Sequence, residues 1–186
     1  MAKMAKAVKT GLERKGVTVV LGQIAETLPA EVLEKMHAVA KDDAVPFIEP
    51  GDIKDADGII FGVPTRYGNA AAQVRTWWDK TGGIWYGQNW KHIPVGVFVG
   101  TGSAHGGQET TVLTFITQLI HHGMVFVPLG YGHPLLNQHE EVIGGGPYGA
   151  GVVVREGKDV APKELEIAEY QGETFADFVN RIQKKK

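Results

Sequence analysis

Continuous apolar runs divide the chain, and each of them predicts a buried β-strand. The longest runs cover residues 58–63, 93–99 and 124–129, and a shorter β-branched run at 17–21 predicts a further strand. Runs that are apolar at every position are typical of strands buried on both faces of a parallel sheet. The pattern therefore predicts a parallel sheet with helices packed on both sides.

Segments with helical spacing of apolar residues alternate with these strands. Gly16 is expected to end the first helix, and Pro29 to begin the second. The predicted helices cover residues 2–15, 29–40, 70–80, 108–122 and 164–183, with irregular stretches at 46–55 and 130–162. This alternation predicts an α/β fold with an open, doubly wound sheet. No internal repeat or low-complexity linker interrupts it, so we expect one domain over residues 1–186.

Two polar, glycine-containing loops follow neighbouring predicted strands. PTRYGN occupies residues 64–69, and GTGSAHGGQE occupies residues 100–109. Pro64 is expected to end the first strand because proline cannot donate to a sheet ladder. Ligands of open α/β sheets bind beyond the carboxyl ends of the strands. We therefore expect both loops to offer backbone N–H groups to a flat ligand rich in hydrogen-bond acceptors.

Each loop also has a plain structural interpretation. Residues 65–69 are compatible with an ordinary strand-to-helix turn in which Asn69 caps the next helix. Residues 101–109 are compatible with a flexible connection, since the sequence contains neither GxxxxGK[ST] nor GxGxxG after its first strand.

Tryptophans and histidines supply the remaining candidate chemistry. Trp77 and Trp78 are expected to pack a helix, whereas Trp85 follows a pair of glycines and suits a stacking surface or an interface anchor. His121 and His122 end a predicted helix. A positive charge is favourable at a helix C-terminus, and histidines are also common in cores, so a purely structural role is the alternative. The seven histidines lack the spacing of a structural metal site.

Composition narrows the class of protein. The net charge of −2 offers no basic excess for nucleic acid. The absence of cysteine excludes disulfides and thiol chemistry, and it suits a reducing compartment. The apolar runs are too short to cross a bilayer, and the first residues lack the apolar centre of a signal peptide. We expect a cytoplasmic protein without an integral membrane segment, with residues 184–186 as a solvated tail.

Six motifs in order carry a resemblance to a known family. The sequence resembles the WrbA family of flavodoxin-like NAD(P)H:quinone oxidoreductases (type IV) from about Met4 to its end. The motifs are PTRYGN, RTWWDKTGGIW, GGQET, HHGMVFVPLGY, GGGPYGAG and ELEIAEYQGE. The resemblance implies non-covalent FMN, NADH or NADPH as electron donor, ping-pong two-electron reduction of a small quinone, and a homotetramer. The alternative is a flavin-free scaffold or interaction protein, or an inactive truncated homologue.

The resemblance also implies roles for particular residues. Thr65, Arg66 and Tyr67 would line the isoalloxazine ring, His121 would reach the cavity from a helix end or a neighbouring subunit, and Trp85 would contact quinone or nicotinamide. The full set expected to bind the cofactor is Thr65, Arg66, Tyr67, Gly68, Asn69, Gly100, Thr101, Gly102, Ser103, Ala104, His105, Gly106 and His121. The catalytic pair implied is His121 and Trp85.

The sequence departs from the family in two places. The loop at 100–106 is one residue longer than in bacterial members, around Ser103-Ala104-His105. Family members also begin with a central strand and a Ser/Thr/Gly-rich loop around the FMN phosphate, whereas this sequence begins within the following helix. We expect two facing rows of unpaired backbone groups where that strand would lie, each buried group costing about 1–3 kcal/mol. We also expect weak FMN binding, because the phosphate lacks its seat.

Overall fold

The fold is built on a five-stranded sheet whose strands are mostly parallel. In the computed structural model, which describes residues 1–183, the strands are β1 (Ile59–Arg66), β2 (Asn69–Ala70), β3 (Pro94–Thr101), β4 (Val125–Phe126) and β5 (Gly151–Val153). β1 and β3 pair in parallel, and β4 and β5 share the far edge of β3. β2 runs antiparallel to the end of β1. The predicted tail at 184–186 lies outside the described residues.

Helices cover both faces of the sheet. They are α1 (Ala2–Arg14), α2 (Ala30–Lys35), α3 (Ala72–Asp79), α4 (Gly82–Tyr86), α5 (Gln108–His121) and α6 (Pro162–Gln183), with short 3-10 helices at Pro50–Ile53 and Pro134–Asn137. Along β3, Val97 packs in the core with α3 and α5, whereas Phe98 packs with α1 and α6. This confirms the prediction of a doubly wound α/β fold. Within residues 1–183, none of the helices is both long and apolar enough to cross a membrane.

Glycines allow α1 and α6 to pack in close contact. A Cβ atom on Gly172 would clash with the carbonyl oxygen of Val8, and one on Gly11 would clash with the carbonyl oxygen of Glu169. Gly16 has φ +74° and follows the end of α1, as the sequence predicts. The crossing therefore explains a glycine inside a long helix, where it is otherwise unfavourable.

Several predicted elements have different boundaries. The helix predicted at 29–40 ends at Lys35, because none of its residues is buried and an unpacked short helix is only marginally stable. The strand predicted at 124–129 pairs only at Val125 and Phe126. The stretch predicted to be irregular at 130–162 contains β5, a buried strand of three residues.

The strand predicted at 17–21 does not form, because no described residue pairs with this segment. Its backbone makes no hydrogen bond to another described residue, and the first pairing comes later, between Gln23 and Phe47. A cavity of about 1340 Å³ separates this segment from β1. Within residues 1–183, the segment at 17–21 and the edge of β1 away from β3, up to its pairing with β2, thus lack backbone partners, as expected.

Candidate active site

The first candidate loop is a tight hairpin between β1 and β2. Thr65 pairs with Ala70, and Arg66 pairs with Asn69, which leaves Tyr67 and Gly68 as the two turn residues. Their φ angles are 54° and 75°, and a two-residue hairpin turn of this kind requires positive φ at both positions. Tyrosine rarely adopts positive φ. The turn holds the Tyr67 ring fully in solvent.

One prediction about this loop, and one detail of its alternative structural interpretation, are wrong. Pro64 does not end β1, which continues through Thr65 to Arg66. No described residue pairs with β1 on the side away from β3 until β2 begins, so the missing N–H of Pro64 falls on an open edge where proline is tolerated. Asn69 is not a helix cap either: α3 is capped by Ala71, and the side-chain oxygen of Asn69 accepts a hydrogen bond from Arg75 at 2.9 Å.

The second loop follows β3 and has a fixed base with an exposed tip. The Thr101 hydroxyl donates to the carbonyl of Ser103 at 2.8 Å, and the side chain of Gln108 donates to the Thr101 oxygen at 3.0 Å. Residues 102–105 are exposed. Gly107 caps α5 with φ 85°, a conformation that favours glycine.

The two loops lie side by side at the carboxyl edge of the sheet. The hydroxyls of Thr65 and Thr111 are 2.7 Å apart, and Thr65 is the donor because Thr111 donates to the carbonyl of Gly107. The hydroxyl of Thr114 donates to the carbonyl of Gly68 at 2.9 Å. The structure therefore brings together the candidate residues at 65–69 and 100–106.

A third segment, which the sequence analysis did not assign to the site, borders the second loop. The side-chain oxygen of Gln108 accepts a hydrogen bond from Gly145 N at 2.7 Å, and its amide group donates to the carbonyl of Val152 at 3.2 Å. The glycine-rich stretch at 144–151 is thereby attached to the loop. The glycine cluster was the available signal, but the sequence does not show which element it contacts.

Two buried polar side chains of α6 hold this glycine-rich stretch in place. Glu164 is fully buried and accepts from the backbone N–H groups of Gly144 and Val153 at 2.9 and 3.0 Å. Gln171 accepts from Ala150 N and donates to the carbonyl of Val97. The ELEIAEYQGE motif is therefore a support for the wall of the site.

The fit of these residues to FMN can be judged from their chemistry. An exposed aromatic ring, an exposed guanidinium on Arg66 and a glycine-containing loop tip suit a flat ring with several hydrogen-bond acceptors. The sulfur of Met1 packs against Gly100, so α1 begins at the same edge, and its N-cap makes no side-chain hydrogen bond. Free N–H groups at a helix start attract anions. Among the described residues, the two loops therefore offer groups that suit a flat ring, and the first turn of α1 offers N–H groups that suit an anion.

Trp85 and His121 lie elsewhere within the chain. The indole N–H of Trp85 donates to the carbonyl of His121 at 3.0 Å. His121 ends α5, whereas the second loop precedes it, so the 14 residues of the helix separate the two sites by about 21 Å. A single chain therefore brings Trp85 and His121 to each other but not to the loops.

His122 belongs to the aromatic core. Its ring centroid lies 5.1 Å from that of Trp78 and 5.2 Å from that of Trp90. The Thr81 hydroxyl donates to the carbonyl of Trp78, so the contact between Thr81 Oγ1 and His122 Nε2 at 3.0 Å has His122 as the donor. Burial lowers the pKa of His122. For this histidine the structural interpretation is correct, as it is for Trp77 and Trp78.

Comparison with known proteins gives consistent similarities. A family model described as NADPH-dependent FMN reductase matches residues 1–133. The chain is 45% identical over 188 residues to "NAD(P)H quinone oxidoreductase YCP4" of Candida albicans, covering 99% of this chain and 65% of that protein. It is 41% identical over 186 residues to "NAD(P)H dehydrogenase (quinone)" of Geotalea uraniireducens, covering 97% of this chain and 92% of that protein.

A solved structure shares the fold. The crystal structure of "the flavodoxin, WrbA-like protein from Agrobacterium tumefaciens" matches with a TM-score of 0.66 at 21% identity. The match covers 97% of this chain and 89% of that one.

Proposed function

The chain belongs to the NADPH-dependent FMN reductase family, and from this premise we propose that it is an FMN-dependent NAD(P)H:quinone oxidoreductase. NADH or NADPH and a small quinone bind in turn in one cavity, and two electrons pass between them in a ping-pong cycle. The observation that carries the proposal is the joining of the two loops at the carboxyl edge of the sheet. Curated relatives whose names contain quinone oxidoreductase or quinone dehydrogenase support it.

The two loops supply different groups for binding the flavin ring. Tyr67 presents an exposed aromatic face that suits stacking. The exposed, glycine-containing tip at 102–105 offers backbone N–H groups, and the hydroxyl pair of Thr65 and Thr111 fixes one loop against the other. Preorganised donors of this kind need no rearrangement when the ligand binds.

Charge at the site suits a reaction that makes the ring more negative. When bound, FMN supplies the two-electron chemistry that couples nicotinamide oxidation to quinone reduction. The guanidinium of Arg66 is exposed beside the turn, and a planar fork of N–H donors of this kind suits an acceptor-rich, negatively charged group. We assign to Arg66 the stabilisation of negative charge that develops during the reaction.

Trp85 and His121 enter the site through assembly. Trp85, Tyr86 and Ile120 are exposed by 54%, 86% and 66%, and they form an apolar patch around the end of α5. Because this patch lies far from the loops of its own chain, we propose a homotetramer in which Trp85 and His121 of one copy complete the cavity of another. Sedimentation of the wild type and of Trp85→Asp tests this. A wild-type monomer that is fully active would contradict it.

The decisive experiment measures flavin binding and turnover of residues 1–186 with added FMN. We expect oxidation of NADH or NADPH that depends on both FMN and a benzoquinone. Replacing Arg66 with alanine removes a charged hydrogen-bonding group worth about 1.5–3 kcal/mol and lowers kcat/KM by about 10- to 100-fold. Arg181→Ala, an exposed change on α6, serves as the control.

The affinity for FMN and the oxidation of nucleotide are separate results of that experiment. We expect this polypeptide to bind FMN only weakly, because the first turn of α1 is a modest seat for the phosphate. A sub-micromolar Kd would contradict that expectation, although it would leave the proposed activity intact. A protein that stays colourless in saturating FMN and oxidises neither nucleotide would refute the proposed function. We also propose a cytoplasmic location, which cell fractionation can test.

A further inference from the structure

Gln108 lies behind the second candidate loop, and we propose that it is a positioning residue that sets the direction of the backbone N–H groups at the tip of that loop. The inference rests on the proposed function, because that function assigns the loop at 100–106 to the flavin ring. Gln108 is the first residue of α5, and its side chain is partly buried. It reaches three separate segments of the chain, and each contact constrains the loop.

A relay of hydrogen bonds runs from Gln108 into the tip of the loop. The amide of Gln108 donates to Thr101 Oγ1 at 3.0 Å, and the Thr101 hydroxyl donates to the carbonyl of Ser103 at 2.8 Å. The same carbonyl accepts from Gly106 N at 3.0 Å. In a planar trans peptide the N–H points opposite to the carbonyl, so fixing the Ser103 carbonyl directs the N–H of Ala104 away from the base of the loop. The tip therefore presents an oriented donor.

The direction of this relay depends on a donor at position 108. A hydroxyl can turn either to donate or to accept, whereas an amide NH₂ group only donates. The Thr101 oxygen therefore accepts from Gln108, and its single hydrogen is left for the Ser103 carbonyl. A carboxylate at position 108 would instead accept the Thr101 hydrogen and leave that carbonyl without it. Replacing the amide with a carboxylate of the same shape thus reverses the relay.

Contacts on the other side of Gln108 decide which end of its amide faces Thr101. Gly145 N donates to the side-chain oxygen at 2.7 Å, so the nitrogen is turned toward Thr101 and toward the carbonyl of Val152 at 3.2 Å. A Cβ atom on Gly151 would clash with the Gln108 oxygen. The glycine-rich stretch at 144–151 therefore leaves room for the glutamine and holds its amide in one orientation.

The relay has a buried base and an exposed end. Thr101 is only 1% exposed, whereas residues 102–105 are exposed. Water does not readily replace a lost partner at a buried oxygen, so removing the donor of Gln108 leaves the Thr101 oxygen unsatisfied. The geometry of the exposed tip is thus set from inside the fold, before a ligand arrives.

Flavin affinity tests the consequence for the site. Gln108→Met keeps a similar length without the amide, and Gln108→Glu keeps the acceptor but loses both donors. We expect the Kd for FMN, measured by quenching of its fluorescence, to rise at least about tenfold in both variants of residues 1–186. Riboflavin, which lacks the phosphate, is expected to show the same ratio to the wild type, because the loop is assigned to the ring.

Hydrogen exchange in the protein without flavin separates the two ends of the Gln108 amide. In Gln108→Glu, we expect exchange at Gly106 N to quicken at least about threefold while Gly145 N stays protected, since a carboxylate still accepts there. In Gln108→Met, both amides are expected to exchange faster. A glutamine that only stabilised the fold would not distinguish these two amides.

Two further variants complete the design. Gln138→Glu is the matched control, because Gln138 also bridges backbone groups, those of Glu140 and Glu141, but within its own loop. It is expected to leave both the Kd for FMN and the exchange at Gly106 unchanged. Thr101→Val removes the middle of the relay, so adding Gln108→Met to it is expected to change the Kd by no more than about twofold. Circular dichroism establishes that every variant is folded.

The results distinguish this inference from the proposed function. Unchanged exchange at Gly106 in both Gln108 variants, a loss of affinity confined to Gln108→Glu with FMN, or full additivity with Thr101→Val would each overturn the positioning role. A protein that binds FMN and shows the expected pattern among variants, but oxidises neither nucleotide, would support the positioning role and refute the proposed function alone.

Discussion

Replacing Gly172 with alanine sets two opposite effects against each other. Alanine favours a helix over glycine by about 1 kcal/mol, so the change should stabilise α6 in isolation. In the folded chain, the new Cβ would clash with the carbonyl oxygen of Val8 and lie 2.8 Å from Leu12 N. Both contacts are with the backbone of α1, which cannot rotate away as a flexible side chain would.

The structure indicates that the clash is the larger effect. Overpacking typically costs about 1–3 kcal/mol, and separating α1 from α6 would also loosen the core around Met4 and Ile167. We expect a net loss of about 1–2 kcal/mol. For a chain of this length, that corresponds to a fall in Tm of about 2–8 °C.

Urea unfolding followed by circular dichroism measures this difference. Gly83→Ala is the matched control, because Gly83 lies in α4 and a Cβ there would meet nothing within 4 Å. The control is expected to be neutral or to gain up to about 1 kcal/mol. If Gly172→Ala proved as stable as the wild type, the close crossing of α1 and α6 would not be a constraint on the fold.

Two further changes test buried polar groups. Glu164→Gln puts an amide in place of a carboxylate that accepts from Gly144 N and Val153 N, and it should lower the free energy of unfolding by about 1–3 kcal/mol. Glu156→Gln, an exposed control, should change it by no more than about 0.5 kcal/mol. If Glu164→Gln were as stable as the wild type, the support role of Glu164 would be excluded. Because burial lowers the pKa of His122, the unfolded chain takes up this proton first. The stability from the neutral ring is therefore present above the unfolded pKa of about 6.5 and is lost as the pH falls toward the folded pKa. Urea titrations at several pH values should show a smaller decline in His122→Gln, and an unchanged decline would contradict this assignment.

The sequence by itself determined the class of fold and most of its long elements. Residues 58–63 and 93–99 are apolar at every position, and a short run of this kind is typical of a strand covered on both faces. Helical spacing likewise predicted α5 and α6 to within a few residues. The position of the two candidate loops followed as well, because the carboxyl ends of parallel strands share one edge.

Boundaries that depend on a distant partner were not available from the sequence. The β-branched run at 17–21 has strand propensity, but a strand needs a neighbour, and no described residue pairs with it. β1 passes through Pro64 because the strand edge at that point is open. β5 exists because the far edge of β3 has room for it beyond β4.

At the candidate site, too, the sequence predicted some neighbours and the tertiary structure alone revealed others. Local order in the chain placed Thr65 to Asn69 and Gly100 to Gly106 near one another, and the fold agrees. Only the tertiary structure decided that Trp85 and His121 lie at the other end of α5, and that Gln108 attaches a third segment to the loops. Periodicity reports which face of an element is buried, whereas the distance between two elements depends on how the whole sheet and its helices pack.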